Sequence, residues 1–215
     1  MEKEPAGGVR EESLTGEGDK AAPRIAGAQV KHRGLRGSFG EDTVVADRPT
    51  TQSNQHCCLS KNSGQATNLA RGRPAFQSST YPDVISGIAH KAVDGNCDGN
   101  FHHASCTHTD QETEPWWYVD LGEQYAISAV VVKNRGDCCG SRLWGAEVHV
   151  GDSTGSSSKF NPVCDSFQDT SDGSLSTIYC NGLIGRYVSI VIRGRADYLH
   201  VCEVEVYGTK LEREC

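Results

Sequence analysis

The sequence predicts an all-β domain, a jelly-roll β-sandwich of about eight short strands, and three observations predict it. Hydrophobic residues make up 36% of the 215-residue chain, while 24 glycines and seven prolines punctuate it. That balance suits a loop-rich β protein better than a helical bundle. From Asn68 onward, runs of β-branched residues alternate with turn residues. No amphipathic helical period persists beyond about two turns.

The clearest strands are WWYVDLG (116–122), AISAVVVKN (126–134), GAEVHVG (145–151), LSTIYC (175–180), RYVSIVIRG (186–194) and CEVEVYG (202–208). Alternation of Ala146, Val148 and Val150, and of Cys202, Val204 and Val206, predicts sheets with one buried face. The same alternation sends Glu203 and Glu205 to solvent. A sandwich of this kind gathers its ligand loops at one end. Upstream the texture differs: up to about residue 65, Gly, Glu, Arg, Ser and Thr are frequent and Phe39 is the only aromatic residue. Such a segment buries too little apolar surface to offset its backbone entropy. The expected organisation is a largely disordered segment over 1–64, one domain over 65–209 and a tail or linker over 210–215.

Twenty-one basic against 28 acidic residues leave a formal charge of -7. This argues against nucleic acid or an anionic membrane surface as the main partner, since both call for a basic face. No apolar run approaches the roughly 18 residues of a membrane span. Ten cysteines point to an oxidising, extracellular setting, although the opening MEKEPAGGVREES lacks the apolar stretch of a secretory signal.

Four motifs carry chemistry. DGNCDGN (94–100) places Asp94, Asn96 and Asp98 at alternate positions before Gly99, like the start of an EF-hand loop. Its twelfth position is Ser105, which cannot act as a bidentate carboxylate, so the choice is between another oxygen-rich calcium site and an Asx-rich turn. HHASCTH (102–108) could be drawn as a zinc site with Cys138 and Cys139, but adjacent cysteines fit a tetrahedron poorly. GDSTG (151–155) matches a nucleophile elbow, yet the serine-rich, proline-stopped sequence after it shows no helical period. We therefore expect no enzyme.

The fourth motif, NRGDCCGSR (134–142), connects two expected strands, where binding residues commonly sit. Cys138 and Cys139 bridge either to each other or to separate partners. Joined, with Cα atoms at most about 3.8 Å apart, they would make a strained, rigid plate between Arg135 and Arg142. Two guanidinium forks on one loop suit convergence on a ligand. The Arg-Gly-Asp tripeptide here would need a free, exposed Asp137 to serve adhesion.

Together these motifs resemble the F-type lectin (fucolectin) family, whose fold is a jelly roll related to discoidin-like and galactose-binding-like domains. The family's sugar motif is a histidine, 26 residues, Arg-x-Asp, four residues and Arg or Lys; here His108, Arg135, Asp137 and Arg142 stand at those intervals. DGN (94–96), SCTH (105–108), PWWYVDLG (115–122), GRYVSIVI (185–192) and CEVEVYG (202–208) match in order and spacing.

The resemblance implies recognition of terminal L-fucose, with His108, Arg135 and Arg142 donating hydrogen bonds to the axial 4-hydroxyl and its neighbours. Cys138 and Cys139 would pack on the apolar sugar face, Phe101 and His102 would enclose the methyl, and Asp137 would orient Arg135. It also implies a structural calcium ion held by Lys91, Asp94, Asn96, Ser105, Cys202 and Glu203, and disulfides Cys106–Cys202, Cys138–Cys139 and Cys164–Cys180. The loop from Ser79 to Ile88 would tune acceptance beyond the fucose. Cys57, Cys58, Cys97 and Cys215 are left without an implied pairing. Fucosylated glycans in innate immune or self/non-self recognition are the implied partners, with avidity from homo-oligomers or tandem domains. A discoidin-like adhesion domain, binding protein through Arg-Gly-Asp or binding phospholipid, is the alternative.

Overall fold

The structure, a computed structural model, describes residues 67–211. The expectations for residues 1–64 and for Cys57, Cys58 and Cys215 fall outside them. Eight strands are present among the described residues: β1 (Ala75–Gln77), β2 (Glu112–Thr113), β3 (Trp116–Lys133), β4 (Glu147–Gly151), β5 (Val163–Ser166), β6 (Leu175–Val191), β7 (Ala196–Asp197) and β8 (Glu203–Lys210). All six segments read from sequence fall in strands, GAEVHVG and CEVEVYG as β4 and β8, but the boundaries differ. WWYVDLG and AISAVVVKN fuse into β3, LSTIYC and RYVSIVIRG fuse into β6, and the short β1, β2, β5 and β7 restore the number. The punctuation between the fused pairs marks an irregularity instead of a break. The β3–β6 register shifts between Asp120 and Tyr125, where Gly122 adopts φ 88°. Glycine takes that conformation without a Cβ penalty, and a bulge bends a ladder without ending it.

β3 and β6 pair antiparallel on both sides of this bulge. On one side β1 joins the first half of β3 (Phe76↔Tyr118), and β4 joins the second half of β6 (Val148↔Ile190) with β5 beyond it. On the other side β8 joins the second half of β3 (Val130↔Val206). Both halves feed one core. Trp117, Val119 and Leu121 share a buried cluster with Val130, Val132, Ile178, Ile190, Val204 and Val206. A bent sheet whose inner faces meet in this way is a sandwich.

β8 departs from the alternation. Glu203 and Glu205 are 2% and 3% exposed, because β8 has cover on both faces. The segment before β1 lies along it, Leu69 N donating to Val206 O and Val206 N to Asn68 Oδ1, and the 3₁₀ helix Ala89–Ala92 packs against it. The helices among the described residues are all 3₁₀: Ala89–Ala92, Phe101–His103, Gly140–Leu143 and Gly155–Phe160. The last follows GDSTG, where no helix was expected; a 3₁₀ stretch this short needs no amphipathic period. No helix here is long and apolar enough to cross a membrane.

Three disulfides form the pairs that the resemblance implied: Cys106–Cys202, Cys138–Cys139 and Cys164–Cys180. Cys97 is disulfide-bonded as well.

Candidate functional site

One end of the sandwich holds a cavity of about 310 Å³ lined by Tyr81, Asp83, Phe101, His102, His108, Arg135, Cys138, Cys139, Arg142 and Tyr198. The two arginines reach it from one tightly anchored loop. Asn134, at the end of β3, is buried; its Oδ1 accepts from Arg135 N at 2.8 Å and its Nδ2 donates to Gly140 O at 3.1 Å. Gly140 N donates to Asp172 Oδ1 at 2.7 Å, and a Cβ on Gly140 would lie 2.6 Å from Thr170 O. Only glycine fits there. The vicinal disulfide turns the chain, with Cys139 left-handed at φ 65°. Arg142 then follows on the 3₁₀ helix Gly140–Leu143, which Leu143 roots in the core.

Asp137 holds Arg135 in a bidentate grip, Nη2–Oδ2 at 2.7 Å and Nε–Oδ1 at 3.1 Å, and also accepts from Phe101 N at 2.8 Å. Burial pushes its pKa up, but the Arg135 hydrogen bonds, the Phe101 amide and the guanidinium charge outweigh this and hold it down to about 2. A carboxylate committed in this way is not free for adhesion, so the Arg-Gly-Asp alternative loses its essential group. The Arg135 guanidinium carbon lies 4.6 Å from the Phe101 ring centroid, and that of Arg142 lies 4.5 Å from the Tyr198 centroid. Arg135 Nη1 and the whole Arg142 guanidinium make no protein hydrogen bond among the described residues, which leaves donors for a ligand.

His108 sits between these rings, 4.8 Å from Tyr81, 5.1 Å from Phe101 and 5.4 Å from Tyr198. Its position depends on Gly87: His108 N donates to Gly87 O at 2.8 Å, and a Cβ on Gly87 would strike His108 Cβ at 2.8 Å. Burial lowers the His108 pKa and the Arg135 and Arg142 charges lower it further, against a hydrogen bond to Thr109 O that raises it. The ring is therefore neutral. Nδ1 lies 2.8 Å from that carbonyl; a carbonyl only accepts, so Nδ1 carries the proton and Nε2 is an acceptor.

The sequence missed Tyr81, Asp83 and Tyr198 as individual residues. Tyr81 and Asp83 fall in the Ser79–Ile88 loop that the resemblance had marked as variable; nothing local marks Tyr198. His200 was missed too. It is buried against His108, with centroids 5.4 Å apart and neither ring nitrogen hydrogen-bonded.

DGNCDGN is a ladder of Asx turns. Asn96 N, Asp98 N, Asn100 N and His102 N each donate to the side-chain oxygen two residues earlier. Asn96 Oδ1 is used in this ladder. Glu203 comes to the same loop: its Oε2 accepts from Gly95 N at 3.2 Å, while Oε1 is buried without a partner. Burial pushes its pKa up to about 9, and the charges of Asp94 and Glu205 add to this against the Gly95 amide. A buried, half-satisfied carboxylate facing a second carboxylate is the chemistry that a hard cation completes. No group of three or more His, Cys, Asp or Glu side chains suited to a metal occurs among the described residues, so such a site would need carbonyl and hydroxyl oxygens as well. Ser105 Oγ, one implied ligand, donates to Asn100 O at 2.8 Å. The zinc reading fails, because Cys138 and Cys139 are bonded to each other.

Comparison with known proteins points to one family. Residues 91–190 match the family model described as a NedA-like, galactose-binding domain. The chain is 44% identical over 119 residues to a fucolectin of Anguilla anguilla, covering 55% of this chain and 75% of the relative. Among solved structures it is similar to an F-lectin (fucolectin) from Morone saxatilis serum, at 43% identity and TM-score 0.64, covering 70% of this chain. This chain spans about half the length of that one, 49%. A Streptococcus pneumoniae fucose-binding module is similar at 28% identity and TM-score 0.57, covering 69% of this chain and 99% of the module. The spacing of His108, Arg135, Asp137 and Arg142, the vicinal disulfide and these relatives agree: the chain belongs to the fucolectin, or F-type lectin, family.

Proposed function

We propose that this domain is a non-enzymatic lectin that binds terminal L-fucose in the His108 cavity. One observation carries the reading: His108, Arg135 and Arg142 converge on one aromatic-walled space, each held by the protein yet keeping polar atoms for a ligand. Arg135 Nη1 and Arg142 donate to the axial 4-hydroxyl and neighbouring ring oxygens. His108 Nε2 accepts the 4-hydroxyl proton, which revises the expectation that all three residues donate. An equatorial 4-hydroxyl would leave these buried groups unpaired, a penalty of about 1–3 kcal/mol each. The Cys138–Cys139 plate meets the apolar face of the sugar, while Phe101, His102 and Tyr81 offer surface for the methyl.

Calcium is part of the proposal. Asp94, Glu203, Ser105 and the carbonyls of Lys91, Asn96 and Cys202 are the residues that would hold it, and the orphaned Glu203 oxygen supports this. Bound calcium would neutralise the two carboxylates and brace the loop that leads into Phe101 and His108. The setting is extracellular, in recognition of self or microbial fucosylated glycans, with oligomers or tandem domains supplying avidity.

A fucosylated glycan array, read with and without calcium chelation and repeated on Arg135→Ala, tests the reading. Fucose-dependent binding that Arg135→Ala abolishes supports it. Absence of fucosylated-glycan binding by the calcium-loaded parent overturns it.

A further inference from the structure

We infer that a second cavity, beside Trp116, is an independent carbohydrate-binding site that takes one unit of a neutral hexopyranose. It has a volume of about 220 Å³, and its lining includes Glu112, Glu114, Trp116, Gly155, Ser158 and Lys159. It shares no lining residue with the His108 cavity. The inference does not rest on the fucose reading.

Three observations converge there. Ser158 is fully buried and its Oγ has no hydrogen-bond partner; leaving such a group unmet costs about 1–3 kcal/mol, a cost that a ligand hydroxyl would remove. Glu114 is held left-handed at φ 53°, a conformation that persists only where surroundings over-determine it, commonly at ligand sites. Its partners do so: Lys159 Nζ donates to Oε2, and Gly194 N donates to Oε1 at 3.0 Å. Trp116 supplies an aromatic wall facing Gly155, whose Cβ, if present, would sit 3.7 Å from the indole. From Trp116 the stack continues through Tyr118, at 5.6 Å, to the exposed Phe76, at 5.1 Å from Tyr118.

The charges select the ligand class. Glu112 and Glu114 are balanced by Lys159 and by Arg193, whose Nε lies 3.5 Å from Glu114 Oε1, so neither an acidic nor a basic ligand is favoured. Glu112 Oε1 is engaged by the hydroxyls of Ser78 and Ser79, which leaves Oε2 to accept from a ligand. A pyranose matches this set. Its C–H face suits the indole, and its hydroxyls both donate to Glu112 and meet Ser158. The volume lies below the ~300–1,000 Å³ of drug-sized ligand pockets, which suits a single sugar ring, with any further residues running out over Tyr118 and Phe76.

The test uses the full chain saturated with L-fucose and titrated with D-galactose, D-glucose, D-mannose or N-acetyl-D-glucosamine, read by amide NMR. The expected result is a saturable shift of residues 112–116 and 155–159 by at least one of these sugars. Ser158→Ala should weaken that binding by about fivefold, the worth of one hydrogen bond, with its Tm unchanged or raised because the hydroxyl has no partner in the fold. Trp116→Ala, if folded, should abolish it. No saturable shift with any of the four sugars, shifts confined to the His108 cavity, or parental binding by Ser158→Ala would each overturn the inference. Failure of fucose binding would sink the reading of the other cavity and leave this local readout intact.

Discussion

The Arg142 guanidinium lies 4.5 Å from the centroid of the Tyr198 ring, and its own carbonyl accepts from Arg195 Nη2 at 2.6 Å. Both ends of the residue are therefore fixed from the β7 region, which is remote in sequence. A cation–π contact of this kind contributes about 0.5–2 kcal/mol. Tyr198→Ala should weaken L-fucose binding by roughly 2- to 30-fold, while Tyr198→Phe should bind like the parent. Titration calorimetry on both variants checks this; parental affinity in Tyr198→Ala would remove Tyr198 from the clamp.

Fucose affinity should depend on pH through His108. The ring loses its acceptor when Nε2 is protonated, and the new cation would face Arg135 and Arg142. Its pKa is lowered by burial and by those two charges, so affinity should stay level from pH 8 through the ordinary histidine range near 6.5 and fall only at more acid pH. The Thr109 carbonyl and, more weakly, the Asp83 charge oppose the shift. A midpoint at or above about 6.5 would contradict the neutral Nδ1–H assignment.

His200 predicts acid lability. Burial, followed by the influence of His108, Arg135 and Arg142, lowers its pKa to about 3 from 6.5. The unfolded chain therefore binds the proton more readily. His200 contributes stability that is fully present above about pH 6.5 and is lost as pH falls toward 3. On the order of 3 kcal/mol should disappear between pH 7 and pH 4 from this residue alone. Urea unfolding of the parent and of His200→Leu at both pH values should show a distinctly smaller loss in the variant.

Reduction should act on binding before it acts on the fold. Cys106, Cys202 and Cys180 are buried, whereas Cys138 and Cys139 are partly exposed at the cavity. Mild reductant should weaken fucose binding several-fold while near-UV circular dichroism and Tm stay unchanged. Loss of the fold in step with binding would place the plate in the architecture instead of the site.

Glu203→Gln should separate calcium from folding. With its pKa pushed up to about 9, the calcium-free Glu203 carboxyl is already neutral near pH 7, and the amide is a neutral group of the same shape, so the chelated variant should be about as stable as the chelated parent. Added calcium should raise the Tm of the parent and not that of the variant. Equal calcium-induced shifts in both would exclude Glu203 as a ligand.

Strand-forming segments were legible because β-branched runs and alternation are local properties, and the core positions Val148, Val150, Val204 and Val206 follow from them. Continuity was not. Whether Gly122 ends a strand or bends one depends on the β6 partner across the ladder, which no local pattern contains. Glu203 and Glu205 show the same limit: their alternation is sound, but the Ala89–Ala92 helix packs against β8 and Gly95 N reaches Glu203 Oε2, so both carboxylates are buried.

The sequence by itself determined which residues make up the proposed clamp. His108, Arg135, Asp137 and Arg142 stand at fixed intervals, and three of them share one short loop whose covalent geometry keeps them together. Cys138 and Cys139 are neighbours for the same reason. Tertiary structure alone decided what surrounds that clamp. Leu199 N and Thr109 Oγ1 meet across 90 residues, and that pairing brings Tyr198 under Arg142 and His200 behind His108. The His108 tautomer, and with it the direction of its hydrogen bond to a ligand, follows from a Thr109 carbonyl whose position only the folded chain sets.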